Sequence, residues 1–239
     1  MSSLLYGILW MLVRGLAYLF FRFRVEGEEQ IPRMGGVLLA ANHSSYLDIP
    51  ILGCAVRRRL WHLGRRDLFF PRLRPLLQAL GWIPISADRL DRKGFELAID
   101  LIRRGKAVVI YPEGGRSLTG KLRAGKPGIG IVVAQTGCPV IPVHIGGTYD
   151  ALPPGASWPR MRPLSVRFGQ ALSFDEKLGE LPEKAFYREV SRRVMLKIAE
   201  LGGVEPPREA KPKGASPADA AHEPPAPRPL SAESGHGSS

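Results

Sequence analysis

Three runs of this chain are apolar at nearly every position over the length of a strand: GVLLAAN (36–42), AVVIYPEGG (107–115, apolar through Tyr111) and CPVIPVHIGG (138–147). A strand on a half-wet sheet alternates apolar and polar residues. A strand apolar throughout needs cover on both faces, as in a parallel sheet between helices. The intervening segments supply that cover. Residues 91–104 place Phe95, Leu97, Ala98, Leu101 and Ile102 at helical spacing, 127–136 suit a helix, and 182–201 carry a stripe of Phe186, Val190, Val194, Ile198 and Leu201. Shorter strands are expected at 60–63 and 82–86, helices at 49–56 and 71–80, and a strand with a turn in FRFRVEGEEQIP (21–32). Strands alternating with helices predict an α/β domain. Its central sheet is mixed, largely parallel and flanked by helices.

Both ends depart from that pattern. Residues 4–21 form an 18-residue apolar run broken by Arg14 and two glycines. The run is close to the shortest that spans a bilayer, and an Arg at the centre of a span costs about 2.5–3.5 kcal/mol. No basic region precedes it and no small-residue cleavage site follows, unlike a signal peptide. Two readings stand level: a short spanning helix, or a helix embedded in one leaflet. Arg22 and Arg24 would mark a cytoplasmic C-terminal side. The expectation is a membrane-associated helix over 1–24, at the cytoplasmic face of an inner membrane, and a folded domain over 25–203. Residues 204–239 are rich in Pro, Ala, Ser and Gly and lack aromatics. A tail of that composition buries too little apolar area to offset its ordering entropy and is expected to be disordered.

The formal charge is +12. Residues 203–239 carry four cations against five acids, so the excess, +13, lies in residues 1–202. A basic surface suits nucleic acid, anionic lipid or a phosphorylated substrate. The apolar N-terminus and the lack of a nucleic-acid-binding motif disfavour the first. Arg57–Arg59, Arg65-Arg66, Arg72 and Arg74 surround Phe69-Phe70-Pro71. Such a cluster fits an anionic membrane surface, and equally an ordinary solvated face. Two cysteines, Cys54 and Cys138, make no disulfide framework and suit a reducing compartment. No Cys/His cluster has metal-ligand spacing.

Four segments carry candidate chemistry. NHSSYLD (42–48) follows a buried strand, the edge where α/β sheets gather catalytic groups. His43 is the candidate general base, since imidazole titrates near neutrality, and Asp48 the group that orients it. The competing reading makes Asp48 a helix cap and His43 a loop residue. YPEGGRS (111–117) is a strand followed by a tight turn, with Arg116 suited to a phosphate and Glu113 to orienting Arg116 or bonding a hydroxyl. Lys126 and Gly128 follow at the start of a helix. GWIPISADR (81–89) adds Arg89. In VIPVHIGGT (140–148), Pro142 within a buried run predicts an irregular strand.

In this order, the four segments resemble the glycerolipid acyltransferase family, specifically the bacterial 1-acyl-glycerol-3-phosphate acyltransferases. That family is marked by NHxxxxD, a G…R block, (F/Y)PEG(T)RS and a Pro-centred apolar block. These are Asn42–Asp48, Gly81–Arg89, Tyr111–Ser117 and Val140–Val143, and the match covers roughly 25–200. Families built on HxxxD have three residues between His and Asp, whereas four intervene here. The resemblance implies that His43 deprotonates the sn-2 hydroxyl of a lysophosphatidate, which attacks an acyl thioester, with Asp48 orienting His43. It implies that Arg89, Glu113, Gly114 and Arg116 bind the glycerol phosphate, with Lys126 beside them. The donor would be acyl-CoA or acyl-carrier protein, with no metal and no other cofactor. Membrane lipids and a lysophospholipid acceptor would be the partners. The family usually has Thr where this chain has Gly115, which leaves room for another lysolipid or glycerol-3-phosphate as acceptor. A non-catalytic lipid-binding protein on the same fold is the rival reading.

Overall fold

The computed structural model describes residues 3–65, 81–85, 92–174 and 181–208. The proposed helix at 71–80, the Phe69-Phe70-Pro71 cluster, Arg89 and the tail from residue 209 lie outside them. The elements, in chain order, are α1 (Ser3–Phe21), β1 (Arg24–Glu26), a 3₁₀ turn (Glu28–Gln30), β2 (Val37–Ala41), α2 (Asp48–Ala55), β3 (Leu60–Arg65), β4 (Trp82–Ile85), α3 (Arg92–Arg103), β5 (Ala107–Ile110), α4 (Gly128–Thr136), β6 (Val140–Gly146), α5 (Thr148–Ala151), β7 (Ser165–Phe168) and α6 (Glu183–Gly202).

Seven strands form one sheet in the order β1-β7-β6-β2-β5-β3-β4. Every pairing is parallel except β6 with β7. The expected mixed, largely parallel sheet is therefore present. β2 sits at its centre, with β6 and β5 on either side.

Side chains alternate between the two faces of a strand, and the core divides accordingly. Val37, Leu39 and Ala41 of β2 join Val109, Tyr111, Ile141 and Val143 under α1 and α2. Leu38 and Ala40 join Val108, Ile110 and Val140 under α3, α4 and α6. From α6, Val190, Val194 and Ile198 are buried, as the stripe predicted. In α3 the buried row is Ala98, Ile99, Leu101 and Ile102, while Leu97 is exposed. The spacing had assigned Leu97 inward, but the helix face turns one residue further.

Pro142 does not break β6, contrary to the expected irregularity. It pairs in register with Ala40 of β2, and its carbonyl accepts the Gly169 N–H at 2.9 Å. N–H and C=O of one strand residue point the same way. The missing donor therefore faces Gly169, just past the end of β7, and the ladder to β2 loses nothing.

α1 lies against α2. The Trp10 indole N–H donates to the Val56 carbonyl at 2.8 Å, and the Arg14 guanidinium to the Cys54 carbonyl at 2.8 Å. Arg14 thereby satisfies an orphan carbonyl at the C-terminal end of α2, where a cation also suits the helix dipole. No helix of the described residues is long and apolar enough to cross a membrane. Of the two readings held for this segment, the spanning helix is not supported. Away from α2, the helix exposes Ile8, Met11, Leu12, Leu16, Leu19 and Phe20.

Candidate active site

The site lies where β2 and β5 end. Asn42, the first residue past β2, uses its side-chain amide in place of backbone. Its Nδ2–H donates to the Ile145 carbonyl at 2.9 Å, and its Oδ1 accepts the Ile145 N–H at 2.7 Å. The β2–β6 ladder is thus carried one step further by a side chain that both donates and accepts, a geometry a primary amide supplies. The loop that follows leaves from a fixed point.

His43 Nδ1 lies 2.7 Å from Asp48 Oδ2. The same oxygen accepts the backbone N–H of Ser44 at 2.7 Å and of Ser45 at 2.8 Å. Asp48 is fully buried and His43 nearly so. The carboxylate is the hub of its own turn, and the Leu47 position that precedes α2 has no side-chain cap. The helix-cap reading of Asp48 is therefore set aside: its oxygen closes residues 43–45 into a ring around the imidazole. An Nδ1–H that donates to this acceptor oxygen leaves Nε2 as the acceptor nitrogen of the ring.

The second motif is bound to the first through Glu113. Its Oε1 accepts the His43 backbone N–H at 3.0 Å and its Oε2 that of Arg123 at 3.2 Å. The Ser117 N–H returns to the His43 carbonyl at 2.7 Å. Glu113 is 1% exposed, and burial pushes its carboxyl up to about 7 although both backbone donors favour the anion. Sequence reasoning gave Glu113 the tasks of orienting Arg116 or bonding substrate. In the structure its oxygens are spent on backbone, and it joins the two loops.

Arg116 is placed by another route. Its guanidinium lies over the Tyr46 ring, 3.6 Å from the centroid. Lys126 reaches the same turn. Gly114 has φ +69°, and a Cβ there would meet the Lys126 Cδ, Cε and Nζ at 2.7–2.8 Å. The lysine chain runs across the glycine face, and its backbone N–H is held by the Pro112 carbonyl at 2.8 Å. Gly115 has open space where a side chain would begin. His43, Asp48, Glu113, Gly114, Arg116 and Lys126 thus come together, and Arg89 lies outside the described residues.

The motifs did not reveal three participants. Tyr111 stacks on the His43 imidazole, with centroids 4.2 Å apart and planes 27° from parallel. Tyr46 carries Arg116. Arg123 adds a cation, its guanidinium donating to the Arg116 carbonyl at 3.2 Å. The signal for both tyrosines was their place inside the two motifs, at positions usually read as spacers. A groove of about 990 Å³ opens beside Asn42 and Ser44, rimmed by Lys121, Arg123 and Tyr149. Neither His43 nor Asp48 lines that groove.

The arrangement is that of a buried histidine–carboxylate pair beside a turn that carries cations, on a largely parallel α/β sheet. Residues 22–146 match the acyltransferase family model. The chain belongs to the acyltransferase family. It is 28% identical over 145 residues to a chloroplastic 1-acyl-sn-glycerol-3-phosphate acyltransferase of Arabidopsis thaliana, covering 58% of this chain and 40% of that protein. It is 30% identical over 158 residues to a 1-acyl-sn-glycerol-3-phosphate acyltransferase of Chlamydomonas reinhardtii, covering 62% and 45%. The chain therefore spans less than half the length of these relatives. The crystal structure of the 1-acyl-sn-glycerophosphate acyltransferase PlsC of Thermotoga maritima shares the fold, with a TM-score of 0.64 at 24% identity, over 86% of this chain and 81% of that one.

Proposed function

We propose that the chain moves an acyl group from an acyl thioester to the sn-2 hydroxyl of 1-acyl-glycerol-3-phosphate, giving phosphatidic acid. The observation that carries this reading is the 2.7 Å contact between His43 Nδ1 and Asp48 Oδ2. His43 Nε2 takes the hydroxyl proton as the oxygen attacks the thioester carbonyl. Asp48 stabilises the imidazolium that forms. Collapse of the tetrahedral intermediate expels the thiolate, which recovers the proton from His43. Arg116 and Lys126, with Arg89, hold the phosphate. The thioester is carried by CoA or by an acyl-carrier protein, and the chemistry calls for no metal.

The exposed apolar side of α1 supports a second part of the reading. With one side of α1 bound to α2, the other seats in one leaflet of the membrane that holds the acceptor, on the cytoplasmic face of an inner membrane. Acyl transfer from an acyl-CoA to lysophosphatidate, glycerol-3-phosphate and other lysolipids, compared side by side, tests the assignment. Turnover of lysophosphatidate above the rest supports it, and turnover of no acceptor removes it.

A further inference from the structure

Tyr111 follows β5 directly and presents its ring face to His43. Beyond it, His62 of β3 lies with its ring 6.5 Å away and 19° from parallel. β2, β5 and β3 are neighbours in the sheet, so three rings stand in a row across the α1–α2 face. All three are buried.

The hydrogen bond to Asp48 fixes one atom of the imidazole and leaves the tilt of its plane open. A ring face at 4.2 Å fixes the plane. The stack also discriminates between protonation states, because a cation over an aromatic face is attracted to it while a neutral ring gains less. The contact therefore strengthens as His43 takes up the proton, and interactions that strengthen on the way to the transition state raise kcat. Asp48 faces the imidazole edge, and the negative face of the neutral Tyr111 ring lies against its plane. His62 adds no competing cation: burial first, then the proximity of His43, lowers its pKa to about 4.

The phenol oxygen contributes nothing visible to this. Tyr111 Oη is buried and has no hydrogen-bond partner among the described residues. The ring face is the part in use.

We propose that Tyr111 is a positioning residue, whose ring holds the His43 plane so that Nε2 stays aimed while Nδ1 remains on Asp48. The inference rests on the general-base reading of His43. The variants are Tyr111→Phe, which keeps the face, and Tyr111→Leu and Tyr111→Met, which remove it. In acyl transfer, Tyr111→Phe is expected within about threefold of wild type. The two aliphatic variants are expected to lose about tenfold or more in kcat, with KM for acceptor and donor little changed, in line with a desolvated cation–π contact. The second readout needs no turnover. The Nδ1–H resonance of His43, held in the short bond to Asp48, is observed by proton NMR. It is expected to be sharp in wild type and Tyr111→Phe, and broadened by exchange in Tyr111→Leu and Tyr111→Met. Having two aliphatic variants guards against one that fails to fold. If Tyr111→Phe falls as far as Tyr111→Leu, or if the aliphatic variants keep both kcat and the resonance, the inference is overturned. A resonance that follows this pattern in a protein with no acyl transfer upholds the positioning role and removes the proposed reaction.

Discussion

The Arg116 guanidinium rests on the Tyr46 ring, 3.6 Å from its centroid, so a residue from the spacer of one motif positions the cation of the other. If Arg116 holds the acceptor phosphate, Tyr46 sets its place without touching the reacting atoms. Tyr46→Ala is expected to raise KM for lysophosphatidate roughly 3- to 30-fold, the span of exposed to desolvated cation–π contacts, with kcat nearly unchanged. Tyr46→Phe keeps the ring and is expected to behave as wild type. A fall in kcat with KM constant would contradict this.

The two glycines of the turn differ in what they tolerate. Gly114 has φ +69°, and its Cβ would displace the Lys126 chain, whereas Gly115 faces open space. Gly114→Ala is expected to cost about 1–2 kcal/mol for the left-handed backbone and to raise KM by moving a cation. Gly115→Thr is expected to leave the melting temperature within a few degrees. Thermal denaturation of both variants, with acceptor KM, decides the matter. A large loss at Gly115 would show that the turn is packed differently.

Glu113 gives a stability that depends on pH. Burial pushes its carboxyl from 4.5 up to about 7, so the folded state favours the protonated acid. Its contribution is complete below about 4.5 and is lost as pH rises through about 7. A shift of that size corresponds to about 3 kcal/mol. Glu113→Gln does not titrate there. The stability of wild type minus that of Glu113→Gln, from urea denaturation, is expected to fall by that order between pH 4.5 and 8. A flat difference would mean that the two backbone donors keep the acid at its ordinary value.

The apolar side of α1 is open to a direct test. Leu12 and Leu19 are both exposed, and each leucine moved from water into an apolar setting gains about 1.5–3 kcal/mol. The double variant Leu12→Ser, Leu19→Ser is expected to reduce co-sedimentation with phosphatidylglycerol vesicles at least tenfold, with the fold intact by circular dichroism. Unchanged binding would place the membrane contact elsewhere.

The central strands were legible because parallel strands covered on both faces are apolar throughout, and β2, β5 and β6 all show it. The antiparallel return of β7, and the pairing of β1 with it, were not legible. Both strands are short, and nothing local in a sequence records which distant strand is a neighbour. At the site, residue types with charge or a general-base role stood out, so His43, Asp48, Arg116 and Lys126 were named from the motifs, and the fold brings the two motifs together. Glu113 was found and misread, because a carboxylate that accepts two backbone N–H groups looks the same in sequence as one that faces a substrate. Arg14 was counted as a cost to a membrane helix, and it caps α2 instead. Tyr46 and Tyr111 were missed as participants because stacking leaves no spacing rule. Asn42 belonged to a matched motif, but its exchange with Ile145 spans 103 residues.

The pairing of His43 with Asp48 is the core of this account. The most direct test is the initial rate of acyl transfer from an acyl-CoA to lysophosphatidate by wild type, His43→Ala and Asp48→Asn, at equal concentration and confirmed fold. The rate is expected to fall at least about 10²-fold in His43→Ala, the low end for losing a general base. A loss of up to about 10⁴-fold is expected in Asp48→Asn, where the imidazolium loses its counter-charge. A His43→Ala variant that transfers acyl groups at the wild-type rate would contradict the account.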